Sequence, residues 1–167
     1  MIVEQSVAGT MSRPSSRGSM DQQDSIPAAA APLALVVDDE ALLALEMEDL
    51  LRAAGFATVI ACSEAAARAV PASALSVAVV NLRLNGELLG HGIIRRLRRL
   101  RPGLPIVVVT GYDNDAPQAD LRGLGWPTAR LQKPQHGDHL VGAVRDVMAQ
   151  AQRGARPTGG RRQVDRV

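Results

Sequence analysis

The sequence predicts an α/β fold, a doubly wound five-stranded parallel sheet with helices on both faces. Short, continuous apolar runs rich in Val and Ile recur at Leu33–Val37, Ala57–Ala61, Val77–Val80 and Ile106–Val109, with a weaker fifth at Ala129–Leu131. Such runs are the pattern of strands covered on both faces. Segments of helical spacing alternate with them, and strand followed by helix, repeated, closes a parallel sheet. The chain of 167 residues has room for one domain of ordinary size plus tails.

Taken in order, the first strand leads to a helix written on Leu43, Met47, Leu50, Leu51 and Ala54 and stopped by Gly55. After the second strand, Ser63 is placed to cap a short helix that ends before Pro71. The third strand is followed by Ile93, Ile94, Leu97 and Leu100, with Pro102 and Gly103 as the stop. The fourth helical segment, Asp115 to Gly125, is the poorest, broken by Pro117, Gly123 and Gly125. The last helix carries Leu140, Val144, Val147 and Met148. Residues 1–32, rich in Ser, Gln, Ala and Pro without periodicity, are expected to form a disordered extension. Residues 152–167, with Gly154, Gly159, Gly160, Arg161 and Arg162, read as a flexible basic tail, which leaves 33–151 as the domain.

Composition excludes several classes. One cysteine, Cys62, cannot build a disulfide framework and reads as a small buried apolar residue. The longest apolar run, Pro27 to Val37, stops at Asp38, short of the roughly 18 residues of a membrane span. Met1 to Met20 is polar and unlike a secretory signal, so a cytoplasmic protein with no membrane partner is expected. The net charge of +2 conceals a segregation: Asp38, Asp39, Glu40, Glu46, Glu48, Asp49 and Glu64 lie close along the chain, whereas Arg83 to Arg101 holds six arginines and one acid. The run Arg95, Arg96, Arg98, Arg99 and Arg101 reads as the solvated face of the third helix. One Phe, one Tyr and one Trp make no base-stacking platform, so nucleic acid is not the expected partner. His91, His136 and His139 show neither triad nor metal-ligand spacing and are expected on the surface or in loops. All basic residues but one are Arg, which marks Lys133 for a role that Arg cannot fill.

In doubly wound sheets, chemistry sits at the carboxyl ends of the strands. Those ends carry Asp38, Asp39 and Glu40, then Asn81, then Thr110, Gly111 and Tyr112, then Lys133 and Pro134. Adjacent carboxylates facing a hydroxyl and an ammonium suit a hard divalent cation and a phosphoryl group.

Leu35-Val36-Val37-Asp38-Asp39-Glu40, Val109-Thr110-Gly111 and Lys133-Pro134, in that order and at those strand ends, resemble the acidic, Thr and Lys-Pro motifs of the receiver domain of two-component response regulators. The resemblance spans about residues 33 to 150. Thr110-Gly111-Tyr112 and the stretch Asn81 to Glu87 are similar to the stand-alone bacterial receivers named for a Phe-Ala-Thr-Gly-Tyr motif, with Val108 and Val109 where Phe and Ala would stand. The resemblance implies a flavodoxin-like receiver fold of strand order 2-1-3-4-5. It makes Asp38, Asp39 and the backbone carbonyl of Arg83 the ligands of Mg²⁺, and Thr110 and Lys133 the contacts of the phosphoryl oxygens.

The phosphoacceptor position falls on Asn81. A neutral carboxamide is a poor nucleophile and a weaker cation ligand, so Mg²⁺ binding is expected to be weakened and Lys133 to rest against Asp38 or Asp39. Arg130 stands where many receivers carry a switching Tyr or Phe, and Tyr112 is a candidate local aromatic. The resemblance thus implies a non-enzymatic, single-domain response regulator of a bacterial phosphorelay, atypical or phosphorylation-independent. Its partner would be a histidine kinase or another signalling protein, met through the fourth helix and fifth strand. An alternative is an adaptor that engages an acidic protein or nucleic acid through the Arg-rich third helix and tail. A small flavodoxin-like hydrolase is the least expected, since Asn81 removes the one good nucleophile.

Overall fold

The computed structural model describes residues 30–134 and 136–155. Five strands, β1 (Leu33–Val37), β2 (Ala57–Ala61), β3 (Val77–Asn81), β4 (Ile106–Thr110) and β5 (Thr128–Gln132), form one parallel sheet in the order β2-β1-β3-β4-β5. Helices α1 (Ala41–Ala53) and α4 (His136–Ala155) cover one face, and α2 (Glu64–Ala69) and α3 (Gly90–Leu100) the other. The apolar runs and the expected strand order hold, and each central strand divides its side chains by period two. Leu35, Val37, Ala78, Val80, Ile106 and Val108 enter the core beneath α3, while Ala34, Val36, Val77, Val79, Val107 and Val109 enter the core beneath α1 and α4.

Local chemistry sets the element ends. The Ser63 hydroxyl accepts from the Ala66 N–H at 3.1 Å and caps α2 as expected. Gly55, at φ +94°, turns the chain out of α1. Gly90 opens α3 against the end of β3, where an added Cβ would stand 2.4 Å from the Asn81 carbonyl oxygen. That closeness places the start of α3 directly behind the carboxyl end of the sheet.

Four expectations are corrected. The segment between β4 and β5 forms no α-helix; it holds one 3-10 turn, Pro117–Ala119, and Gly123 and Gly125 take φ +77° and +87°. Proline removes a helix N–H and the two glycines adopt left-handed backbone, so helical pairing has no start here. Its carbonyls are instead satisfied by side chains. Arg98, read as part of a solvated face, turns inward and donates to the carbonyls of Leu104 (3.1 Å), Leu124 (2.5 Å) and Pro127 (2.5 Å). Burial lowers its pKa, but a guanidinium stays charged in this setting. Cys62 is exposed rather than buried, because it falls in the turn after β2. α4 continues through Ala155, past the expected boundary at residue 151, and Gly154 does not break it: an added Cβ would meet the Trp126 ring at 2.6 Å, so the glycine seats the indole against the last turn. Residues 1–29 and 156–167 of the expected tails lie outside the described residues.

Candidate functional site

The ends of β1, β3, β4 and β5 bring Asp38, Asn81, Thr110 and Lys133 together. β1 and β3 are neighbours, as are β3 and β4, so residues distant in sequence share one rim. Asp38, Asn81 and Thr110 are the buried polar residues among those described, with Asp38 fully enclosed. A buried carboxylate needs partners. Asp38 Oδ1 accepts from the Glu40 N–H at 3.0 Å and from Asn81 Nδ2 at 3.3 Å, and Oδ2 takes the Lys133 ammonium at 2.9 Å.

Lys133 also pairs with Glu40 Oε1 at 2.9 Å. The expectation that it rests against Asp38 or Asp39 holds for Asp38 alone. Asp39 is turned away, its Oδ2 accepting the Asn85 N–H at 2.8 Å. Asn85 and Gly86, at φ +51° and +85°, form a tight turn in which Leu84 and Glu87 exchange backbone bonds of 2.8 and 2.9 Å. Asp39 therefore ties the turn after β3 to the end of β1. The signal for it was the Asn-Gly pair, the usual chemistry of such turns. Lys133 is desolvated, which lowers its pKa, but the hydrogen bonds to Glu40 and Asp38 outweigh that and hold it above its ordinary value.

Asn81 Oδ1 accepts from the Arg83 N–H at 3.3 Å. The Thr110 hydroxyl accepts from the Tyr112 N–H at 3.2 Å, and the Thr110 carbonyl accepts from the Lys133 N–H at 2.9 Å, joining β4 to β5 at the rim. Arg130 alternates with Ala129 and Leu131, which pack beneath α4, so it faces the other side. There its Nη2 donates to the Tyr112 carbonyl, while its Nε is buried without a partner among the described residues. The cavity enclosed at the rim is about 440 Å³, lined by Asp39, Glu40, Asn81, Arg83, Thr110 and Lys133 together with Gly86, Gly111 and Tyr112. Among the described residues no three His, Cys, Asp or Glu side chains converge as metal ligands. The oxygens of Asp38, Asp39, Asn81 and the Arg83 carbonyl are nonetheless the hard donors that Mg²⁺ takes one or two at a time, the rest of its shell being water.

His91 Nε2 meets the Asp120 carbonyl at 3.1 Å, and His139 is exposed on α4. Neither reaches the site; the side chain of His136 lies outside the described residues.

This arrangement is that of a family, and the comparisons agree. Residues 34–145 match the model of the response regulator receiver domain, and the chain belongs to that family. It is similar to a response regulator receiver protein from Sinorhizobium medicae, at 28% identity and TM-score 0.64, covering 74% of this chain and 99% of that one. A CheY-like response regulator receiver domain protein from Methanospirillum hungatei shares the fold at 19% identity and TM-score 0.66, over 75% and 99%. NtrX from Brucella abortus matches at 25% identity and TM-score 0.64, over 74% of this chain but 28% of that longer one. A comparison with curated proteins finds no match. Receiver domains of two-component systems are generally non-enzymatic signalling domains that interact with histidine kinases and other signalling proteins, and they typically bind Mg²⁺ at the acidic pocket. No described helix is long and apolar enough to cross a membrane.

Proposed function

We propose that this chain is a bacterial receiver, cytoplasmic, whose output is a protein contact and whose state is not set by phosphotransfer. The supporting observation is Asn81, at the carboxyl end of β3, with Nδ2 toward Asp38 and Oδ1 taken by the Arg83 N–H. A carboxylate in this place is the group that attacks a phosphohistidine. The carboxamide has no such lone-pair charge and is held by hydrogen bonds on both of its ends.

Asp38, Asp39 and the Arg83 carbonyl would hold Mg²⁺, whose charge would offset that of a phosphoryl group, and the Thr110 hydroxyl and Lys133 ammonium would contact its oxygens. Lys133 already neutralises Asp38, and Asn81 supplies no charge, so Mg²⁺ binds this chain more weakly than it binds an Asn81→Asp variant. Arg130 takes the place of the switching aromatic and holds the Tyr112 carbonyl instead of rotating. The partner is a histidine kinase or another signalling protein. It is met through β5 and the segment 111–127, which takes the place of the helix expected between β4 and β5. The rival reading, an Arg-rich third helix that grips an acidic partner, is weakened because Arg98 is committed to three backbone carbonyls.

Intact mass after incubation with acetyl phosphate and Mg²⁺ tests this, the chain and its Asn81→Asp variant side by side. The variant gains one phosphoryl group and the chain gains none. A phosphoryl adduct on the chain itself would overturn the proposal. No adduct on either would mean that the pocket has drifted beyond one residue and serves binding alone.

A further inference from the structure

The opposite end of the sheet carries a second concavity, of about 630 Å³. The residues that lead into β3, β4 and β5 floor it: Ser76, Pro105 and Pro127. Arg101, Trp126 and Met148 wall it. All the groups of the candidate site lie at the carboxyl ends of the same strands, so this groove is separated from them by the length of the sheet. Nothing said of Asn81 bears on it.

Three features set the groove apart from ordinary surface. Trp126 is the only tryptophan of the chain and is 55% exposed. Its ring lies against Gly154, where an added Cβ would stand 2.6 Å from it. A large, half-exposed aromatic is the side chain that contact surfaces favour. Second, prolines at 105 and 127 present apolar floor without backbone N–H groups that would hold water.

Third, the charge is one-sided. None of the lining residues is acidic, and Arg101, the one charged residue among them, has no carboxylate in ion-pair range among the described residues. The ends of α3 and α4 favour some positive charge by their dipoles. At α3 that role is already filled by Arg98 on the Leu104 carbonyl, so Arg101 is additional; its one partner is the Ser73 carbonyl at 3.3 Å.

We propose that this groove docks an extended acidic segment of a partner protein, seating an apolar side chain between Trp126 and Met148 with a flanking carboxylate on Arg101. An acidic peptide fits better than nucleic acid, because Pro, Met and Ala walls offer a phosphate backbone nothing and one indole is no stacking track.

Trp126 is its own reporter. The full chain is titrated with a capped heptapeptide, Leu-Pro-Leu flanked by two acids on each side, and with the same peptide carrying lysines in place of the acids. Expected is a saturable shift of Trp126 emission with the acidic peptide only, weakened about tenfold in an Arg101→Glu variant and weakened by added salt. Arg101 is half-buried, and an unchanged melting temperature confirms that the variant is folded. The charge-reversed variant should in turn respond to the lysine peptide. No saturable shift, an equal response to both peptides, or indifference to charge reversal overturns the proposal. So does a single-stranded oligothymidylate that quenches Trp126 at lower concentration than the peptide does. The phosphorylation assay on Asn81→Asp is unaffected by any of these results, so the two readings fail separately.

Discussion

Asp38 has no exposed surface, and its charge is balanced by a single ammonium. Removing one member of such a pair strands the other in a low-dielectric site, at a cost of about 3–5 kcal/mol. Lys133→Met is therefore expected to lower the unfolding free energy by about 3 kcal/mol, and adding Asp38→Asn should recover much of that loss. The Glu40 arm contributes little, since that carboxylate is 60% exposed. The pH dependence has a definite sign. The folded pKa of Lys133 is raised above 10.5, so the stabilisation is complete below that value and is lost as pH climbs through the folded pKa. Urea midpoints of the chain and of Lys133→Met should differ by a constant amount up to about pH 10 and converge above it. A gap that stays constant as pH climbs through the folded pKa of Lys133 would show that the pair had been misassigned. The residues that the strand ends brought together were legible because three motifs and the position of Asn81 fell at matching strand ends. The partner choice was not: whether Lys133 turns to Asp39 or Glu40 depends on Asn85 capturing Asp39, a contact across 46 positions of sequence that no local pattern carries.

Strands were read well because burial on both faces leaves an unbroken apolar run, and a run needs no knowledge of its neighbours. Leu33–Val37 and Ala57–Ala61 have the ends that the sequence marks. The stretch between β4 and β5 behaves otherwise. Pro117, Gly123 and Gly125 announced a poor helix, but only the tertiary structure shows what replaces it: His91 and Arg98 from α3, with Arg130 and Gln132 from β5, hold carbonyls or the Asp113 side chain of that segment. An arginine that clasps carbonyls looks, in sequence, like one that points to water. Arg98→Met should cost about 2–4 kcal/mol by leaving three carbonyls short of a donor. Hydrogen exchange is the discriminating measurement: amides of residues 111–127 should lose protection together while β1 and β3 keep theirs. Uniform loss across the sheet would mean that Arg98 supports the whole core rather than this segment.

At the scale of the whole molecule, Trp126, just ahead of β5, lies against the last turn of α4 at one edge of the sheet. Gly154→Val should drive the ring from its seat, shift the emission of the one tryptophan toward longer wavelength and lower the melting temperature, with the pocket of Asn81 unaltered in the acetyl phosphate assay of the Asn81→Asp background. Unchanged emission would place the indole elsewhere. The amide at position 81 has a consequence at this scale too. An acyl phosphate gives a signalling protein a memory, a covalent mark that outlives the encounter and decays by hydrolysis at its own pace. If phosphotransfer is lost as proposed, a domain whose Asp38 is answered by an amide and an ammonium would carry no such clock. On the proposed reading, what it transmits would track how many copies are present and how tightly they are held, so its response would be set by abundance and would end as soon as the complex comes apart.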